Sequence, residues 1–263
     1  MGNSTIRTAV DSGGVATVTL NRPEVRNAFN ETLIAELTAS LVEIAADDGV
    51  RAVVLAGEGT SFCAGADLDW MRRTGAYSRK ENLTDARALA EMLRTLDTLP
   101  KPTVAAVHGP AFGGGAGLVA CCDIAIASES AVFSFSEVRL GLIPAVISPY
   151  VIAAIGERQA RRYFLTAQRF PAAEARRIGL VHEVTAPESL AAAVEAVAGE
   201  LLRAGPAALR AAKDLIRAVS RRLGDESLPA ETARRIAEIR AAEEARQGIQ
   251  AFLEKRNPPW RNQ

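Results

Sequence analysis

Short apolar runs at residues 50–56, 103–107, 123–127 and 131–135 punctuate this chain, and what lies between them narrows its fold. After Asn30, a residue suited to capping, Leu33, Ile34, Leu37, Leu41, Val42 and Ile44 fall at helical spacing. A second amphipathic helix is expected over residues 85–99, stopped by Pro100 and Pro102, and a short apolar one over 116–121. Parallel strands cannot be joined by a tight turn, so this strand–helix–strand order predicts a parallel sheet with helical crossovers. Residues 5–10 and 15–20 alternate around Asp11-Ser12-Gly13-Gly14, which reads as a β-hairpin. Beyond about residue 145 the pattern turns helical, apart from a strand-like run at 180–185. Residues 189–203, 206–221 and 231–255 read as long Ala/Arg/Glu-rich helices. Their apolar faces lack an evident partner within the chain, so they are expected to pack on a neighbouring subunit or fold back over a domain.

Charge excludes some partners. Lys plus Arg and Asp plus Glu both number 31, so no global field favours nucleic acid or an anionic membrane. An anionic ligand needs a local basic patch. Met1-Gly2-Asn3-Ser4-Thr5-Ile6 lacks the layout of a signal peptide, and no apolar run approaches a membrane span, so the expected location is cytoplasmic. Cys63, Cys121 and Cys122 form no disulfide framework and are expected reduced and buried. His108 and His182 stand alone, without metal-ligand spacing, and no GxSxG elbow is present. Structural roles are expected for both histidines, and no metal site.

Chemistry concentrates in three segments. Phe62-Cys63-Ala64-Gly65-Ala66-Asp67-Leu68 is a small-residue turn that can aim a backbone N–H into a cavity, with Asp67 placed to cap a helix beginning near Leu68. Phe112-Gly113-Gly114-Gly115-Ala116-Gly117 precedes a helix, whose dipole adds to its N–H groups. Read as a dinucleotide fingerprint, the run fails, because a GxGxxG beginning at Gly113 ends on Leu118. Phe135-Ser136-Glu137-Val138-Arg139-Leu140 presents one carboxylate, Glu137, in an otherwise apolar stretch. Taken alone, each of the first two is as well explained as a tight turn. Together they offer two donors for a developing oxyanion and one group to move a proton.

The order and spacing of these segments resemble the enoyl-CoA hydratase/isomerase (crotonase) family, from about Thr17 to Trp260. The resemblance implies an α/β fold, a crotonase-like spiral of ββα units over residues 1–200, followed by a helical trimerisation region over 201–263. It implies that the N–H groups of Ala66 and Gly114 hold a thioester oxygen, and that the segments around Ala64, Asp67 and Leu68 meet coenzyme A. Asn21-Arg22-Pro23-Glu24-Val25-Arg26-Asn27-Ala28 matches the family's N-terminal signature, with Arg26 a candidate for the CoA phosphates. Phe252 and Lys255 match a terminal helix that reaches a CoA in an adjacent subunit, within a homotrimer or dimer of trimers. Coenzyme A belongs to the substrate, so no separate cofactor is expected.

One departure stands out. Many hydratases of the family carry a second glutamate on the short helix after the glycine run, where this chain has Gly117. Glu137 alone can serve hydration, or move a proton between carbons as an isomerase does. Residues 136–152 and 157–167 resemble bacterial methylglutaconyl-CoA hydratases, which implies hydration of 3-methylglutaconyl-CoA to 3-hydroxy-3-methylglutaryl-CoA. A substrate ending in a carboxylate wants a cation, for which Arg72, Arg73 and Arg139 are nearest in sequence, and room left at Gly117 is expected to admit a methyl branch or a water. A straight-chain enoyl-CoA hydratase, an enoyl-CoA isomerase and a non-catalytic CoA-binding assembly protein stay open beside it.

Overall fold

A computed structural model describes residues 4–220, 222 and 224–261. Among the described residues nine strands form: β1 (Ile6–Val10), β2 (Val15–Leu20), β3 (Ala52–Gly57), β4 (Thr103–Val107), β5 (Ala111–Phe112), β6 (Ile124–Ser128), β7 (Val132–Ser134), β8 (Phe170–Pro171) and β9 (Glu183–Thr185). Ten α-helices accompany them there: α1 (Glu31–Ala46), α2 (Leu68–Thr74), α3 (Arg79–Asp97), α4 (Gly114–Cys121), α5 (Ser148–Thr166), α6 (Ala172–Ile178), α7 (Leu190–Leu202), α8 (Pro206–Val219), α9 (Leu228–Ala241) and α10 (Glu243–Leu253). The larger sheet runs β1-β2-β3-β4-β6-β9, and the smaller runs β5-β7-β8. The hairpin β1–β2 is antiparallel, whereas β2–β3, β3–β4, β4–β6 and β6–β9 are all parallel. The strand–helix–strand reading therefore holds.

Alternation along the buried strands divides the apolar residues between two layers. Val53, Leu55, Ala105, Ala125 and Ala127 enter the main core with Leu33, Leu37, Leu41 and Ile44 of α1 and Met92, Leu93 and Leu96 of α3. Val54, Val104 and Ile126 face the other way, onto Leu190, Val194 and Ala198 of α7. Each buried Val, Leu, Ile or Met side chain among them is worth about 1.5–3 kcal/mol. Val42 is exposed, so it lies off the buried stripe of α1.

Two helices differ from expectation. α3 begins at Arg79, earlier than residue 85, because Ser78 and Glu81 close a capping box ahead of the apolar positions. The single helix expected over 231–255 is two, α9 and α10, parted by Ala242 in extended conformation. The break places Glu244 where its carboxylate accepts the Ala207 and Ala208 N–H groups at 3.0 and 2.9 Å, capping the first turn of α8. α8 itself ends at Val219, and Arg221, its last expected residue, lies outside the described residues. No helix among the described residues is long and apolar enough to cross a membrane.

Candidate active site

The loops that follow β3 and β4 are stitched together by backbone bonds. Cys63 N–H donates to the Pro110 carbonyl at 3.1 Å, and Phe112 N–H returns to the Cys63 carbonyl at 2.9 Å. Ala64 N–H donates to Arg26 at 2.9 Å, and Gly65, at φ +92°, turns the chain through the left-handed region that its missing Cβ allows. Phe29 then bridges both neighbours of Ala66: its N–H donates to the Gly65 carbonyl at 2.7 Å, and its carbonyl accepts the Asp67 N–H at 2.9 Å. Among the described residues the Ala66 N–H has no acceptor, and Ala66 is exposed.

The second loop is built likewise. Gly113, at φ +50°, donates to the Ser134 carbonyl at 2.8 Å, and its own carbonyl receives the Gly117 N–H at 3.0 Å as α4 begins. The Gly114 N–H heads that helix and has no acceptor among the described residues. A helix start carries partial positive charge, which suits an oxygen acquiring negative charge. Side chains are shut out here: a Cβ on Gly114 would lie 2.4 Å from Cε2 of Phe29, and one on Gly115 would lie 2.4 Å from the Cys63 carbonyl oxygen.

Glu137 opens a 3-10 turn, Glu137–Leu140, just beyond β7. Its Oε1 would stand 3.1 Å from a Cβ on Gly113, so the carboxyl lies against the glycine beside the free Gly114 donor. Oε2 is buried and has no hydrogen-bond partner among the described residues. Burial pushes the Glu137 carboxyl above its ordinary value, against a small opposing pull from its own backbone. A carboxyl that binds its proton more tightly, against the glycine that precedes an uncommitted N–H donor, can move a proton at the α-carbon of a carbonyl which such donors polarise.

Gly117 requires a correction. A Cβ there would lie 2.3 Å from Cγ2 of Ile147 and 2.9 Å from its Cβ, and both residues are buried. The expected room for a methyl branch or a water is therefore filled by Ile147. Gly113, the residue before α4, has Glu137 against it, and Gly117, whose N–H bonds back to the Gly113 carbonyl, has Ile147 against it. Gly117→Ala is expected to cost about 1–3 kcal/mol by overpacking. Combined with Ile147→Ala, the two costs should fall short of their sum in urea unfolding; strict additivity would refute this packing.

The remaining expected residues divide. Asp67 caps α2, accepting the Asp69 and Trp70 N–H groups at 2.8 and 3.2 Å, and pairs with Arg22 at 2.9 Å. Burial raises its carboxyl, but those two N–H groups and the guanidinium outweigh it, leaving the carboxyl below its ordinary value. Its side chain is thus committed to holding the loop rather than to a ligand. Arg72 pairs with Asp69, and Arg73 makes a two-pronged pair with Glu31, at 2.9 and 2.7 Å. Arg139 has no ion-pair partner among the described residues. Ala64 is half-buried at the loop, while Leu68 and Arg26 are exposed beside it. Phe252 and Lys255 are exposed at the far end of the chain, Phe252 at 81%.

Sequence reasoning gave no role to Arg22, Asn27, Phe29 or Ile147. Arg22 donates to the Ala28 carbonyl at 2.6 Å as well as to Asp67. Asn27, fully buried, accepts the Arg22 N–H and donates to the Glu58 and Ser61 carbonyls, each at 2.8 Å. The one signal for them was their place in the 21–28 signature. Both histidines serve the backbone as expected. His108 Nε2 lies 3.1 Å from the Gly59 carbonyl, and His182 Nδ1 accepts the Ala125 N–H at 3.1 Å. All three cysteines are free and buried, and burial pushes the Cys63 and Cys122 thiols up to about 12. A groove of about 1080 Å³ between α1 and α3 contains none of Ala66, Gly114 and Glu137.

The parallel sheet, its flanking helices and the two glycine-turned loops beside Glu137 are those of a crotonase-fold enzyme. The family profile described as enoyl-CoA hydratase/isomerase matches residues 11–263. The chain belongs to that family. An enoyl-CoA hydratase from Shewanella pealeana superposes with a TM-score of 0.94 at 42% identity, over 97% of this chain and 96% of that one. A short-chain-enoyl-CoA hydratase of Clostridium acetobutylicum is 35% identical over 93% of each chain. The 2,3-dehydroadipyl-CoA hydratase of Escherichia coli is 32% identical, over 94% of this chain and 95% of its own.

Proposed function

We propose that the chain adds water reversibly across the 2,3-double bond of an enoyl-CoA thioester, with Glu137 as its single acid/base group and the N–H groups of Ala66 and Gly114 on the thioester oxygen. The observation that carries this is the Glu137 carboxyl, held against Gly113 with one oxygen buried and unpartnered. The neutral acid starts the sequence, and burial favours that form. One carboxyl oxygen takes a proton from water as the water oxygen bonds to C3. The proton on the other oxygen passes to C2, and charge that develops on the thioester oxygen rests between the two N–H donors. Glu137 ends protonated, ready for the next turnover.

The proposed substrate is 3-methylglutaconyl-CoA, giving 3-hydroxy-3-methylglutaryl-CoA. Its support is the resemblance of residues 136–152 and 157–167 and the unpaired Arg139, in the same turn as Glu137. A guanidinium can hold a terminal carboxylate with two hydrogen bonds. Losing such a bond costs about 1.5–3 kcal/mol, or roughly 10- to 150-fold in kcat/KM. Arg139→Ala should impose that loss on methylglutaconyl-CoA and spare crotonyl-CoA. Ile147, in the place of a second carboxyl, favours one competing reading, a double-bond isomerase in which Glu137 carries a proton between C2 and C4. A panel of acyl-CoA thioesters followed by product mass separates the two, since only hydration adds the mass of one water. Equal rates on crotonyl-CoA and the dicarboxylic thioester would replace the substrate proposed here with a straight-chain one.

The chain is further proposed to assemble as a homotrimer or dimer of trimers. Ile216, Ile236, Ile249, Phe252 and Leu253 are exposed on the C-terminal helices, and burying them between subunits would carry Phe252 and Lys255 toward a neighbour's coenzyme A. Sedimentation at micromolar concentration should give three or six times 27.9 kDa; a single-chain mass would refute it.

A further inference from the structure

Phe29 touches both donor-bearing loops, and by different means. Its backbone is tied to the first, where N–H and carbonyl bond the residues on either side of Ala66 at 2.7 and 2.9 Å. Its ring lies against the second, with Cε2 2.4 Å and Cδ2 2.9 Å from where a Cβ on Gly114 would stand. Only the bare α-carbon of a glycine lets the ring approach that closely. Phe29 is itself fixed on both sides. Arg22 holds the Ala28 carbonyl at 2.6 Å, and Asn30 caps α1 by accepting the Leu33 N–H at 2.9 Å. The ring is 1% exposed, so it has little freedom to swing away.

We infer that Phe29 is the positioning residue that sets the gap between the Ala66 and Gly114 N–H groups. The span from its backbone to its ring edge is the spacer, rigid because an aromatic side chain has only two soft torsions. This rests on Ala66 and Gly114 being the donors for the thioester oxygen. Two donors act together on one oxygen only if each lies about 2.7–3.1 Å from it, so an error in their spacing weakens polarisation without removing either donor. Misplacement by about 1 Å at a reacting centre costs roughly 10²-fold in rate. Binding of the coenzyme A portion, made elsewhere, should be left nearly intact.

The test uses the full-length enzyme and 4-(dimethylamino)cinnamoyl-CoA, whose absorption moves to the red when its carbonyl is polarised. The native enzyme should show that shift; its absence would overturn the donor assignment, and this inference with it. Given the native shift, Phe29→Leu and Phe29→Ala should show progressively smaller shifts, with kcat on crotonyl-CoA falling up to about 10²-fold and KM within about threefold. Adding a methyl opposite the shortened side chain, as Phe29→Leu with Gly114→Ala, should restore part of the shift lost by Phe29→Leu alone. Leu41→Ala, a fully buried truncation in α1 away from both loops, controls for stability and should lower Tm while keeping shift and kcat. Should Phe29→Ala fail to fold, Phe29→Leu and the paired variant carry the test. A native-sized shift and kcat in Phe29→Leu, or a Leu41→Ala that loses both equally, would show Phe29 to be core packing and nothing more.

Discussion

Glu137→Gln is expected to fold, to bind acyl-CoA thioesters, and to turn them over about 10² to 10⁴ times more slowly than the native enzyme. The amide keeps the shape of the carboxyl but cannot exchange a proton with water and C2. Position 117 cannot supply a second carboxyl to substitute, because Ile147 stands where one would have to project from Gly117. The same change should stabilise the protein. Folding raises the proton affinity of Glu137 by burial, so the folded chain binds more protons than the unfolded one between the ordinary carboxyl value and the raised one. Native stability therefore falls as pH rises through that window. The Tm of Glu137→Gln should exceed the native value at pH 8, by a margin that shrinks toward pH 4. Turnover within threefold of native, measured by loss of enoyl-thioester absorbance, would remove Glu137 from the mechanism.

Ala66→Pro tests a main-chain donor, which no side-chain truncation can reach. The Ala66 N–H bonds to nothing within the described protein, so proline deletes it without breaking a structural hydrogen bond. Gly65, next before it, has no Cβ to meet the proline ring. Losing one such donor should cost about 2.7–4 kcal/mol of transition-state stabilisation, or roughly 10²- to 10³-fold in kcat. A fall confined to KM, with kcat unchanged, would place this N–H on some other part of the ligand.

Strands β3, β4 and β6 could be read from the sequence because both their faces are apolar, β1 and β2 because they alternate around a turn, and α1 and α7 because their stripes follow the helical period. The first turn of α3 was not read, since residues 79–82 are polar and the start is marked by Ser78 and Glu81 rather than by hydrophobicity. Nothing local announced the break at Ala242, where alanine and its neighbours all favour helix. What it accompanies lies 36 and 37 residues away by sequence, in the N–H groups that Glu244 caps. The site divides the same way. Glu137 was visible as a lone carboxylate among apolar residues, and Gly65 and Gly113 as turns that need glycine. Ile147 was not, because its meeting with Gly117 depends on how the segment after Glu137 folds back over α4. Phe29 reads as ordinary core until the ring is seen against Gly114.

The pairing of Gly117 with Ile147 also bears on how this active site can change in evolution. A glutamate arriving first at position 117 would push its β-carbon into a buried isoleucine and meet selection as a destabilised protein before offering any new chemistry. A smaller residue at position 147 has to come first, and it brings no catalytic gain of its own. Descent between one-carboxyl and two-carboxyl forms of this site is thus ordered, with a step that brings no catalytic gain having to precede the useful one.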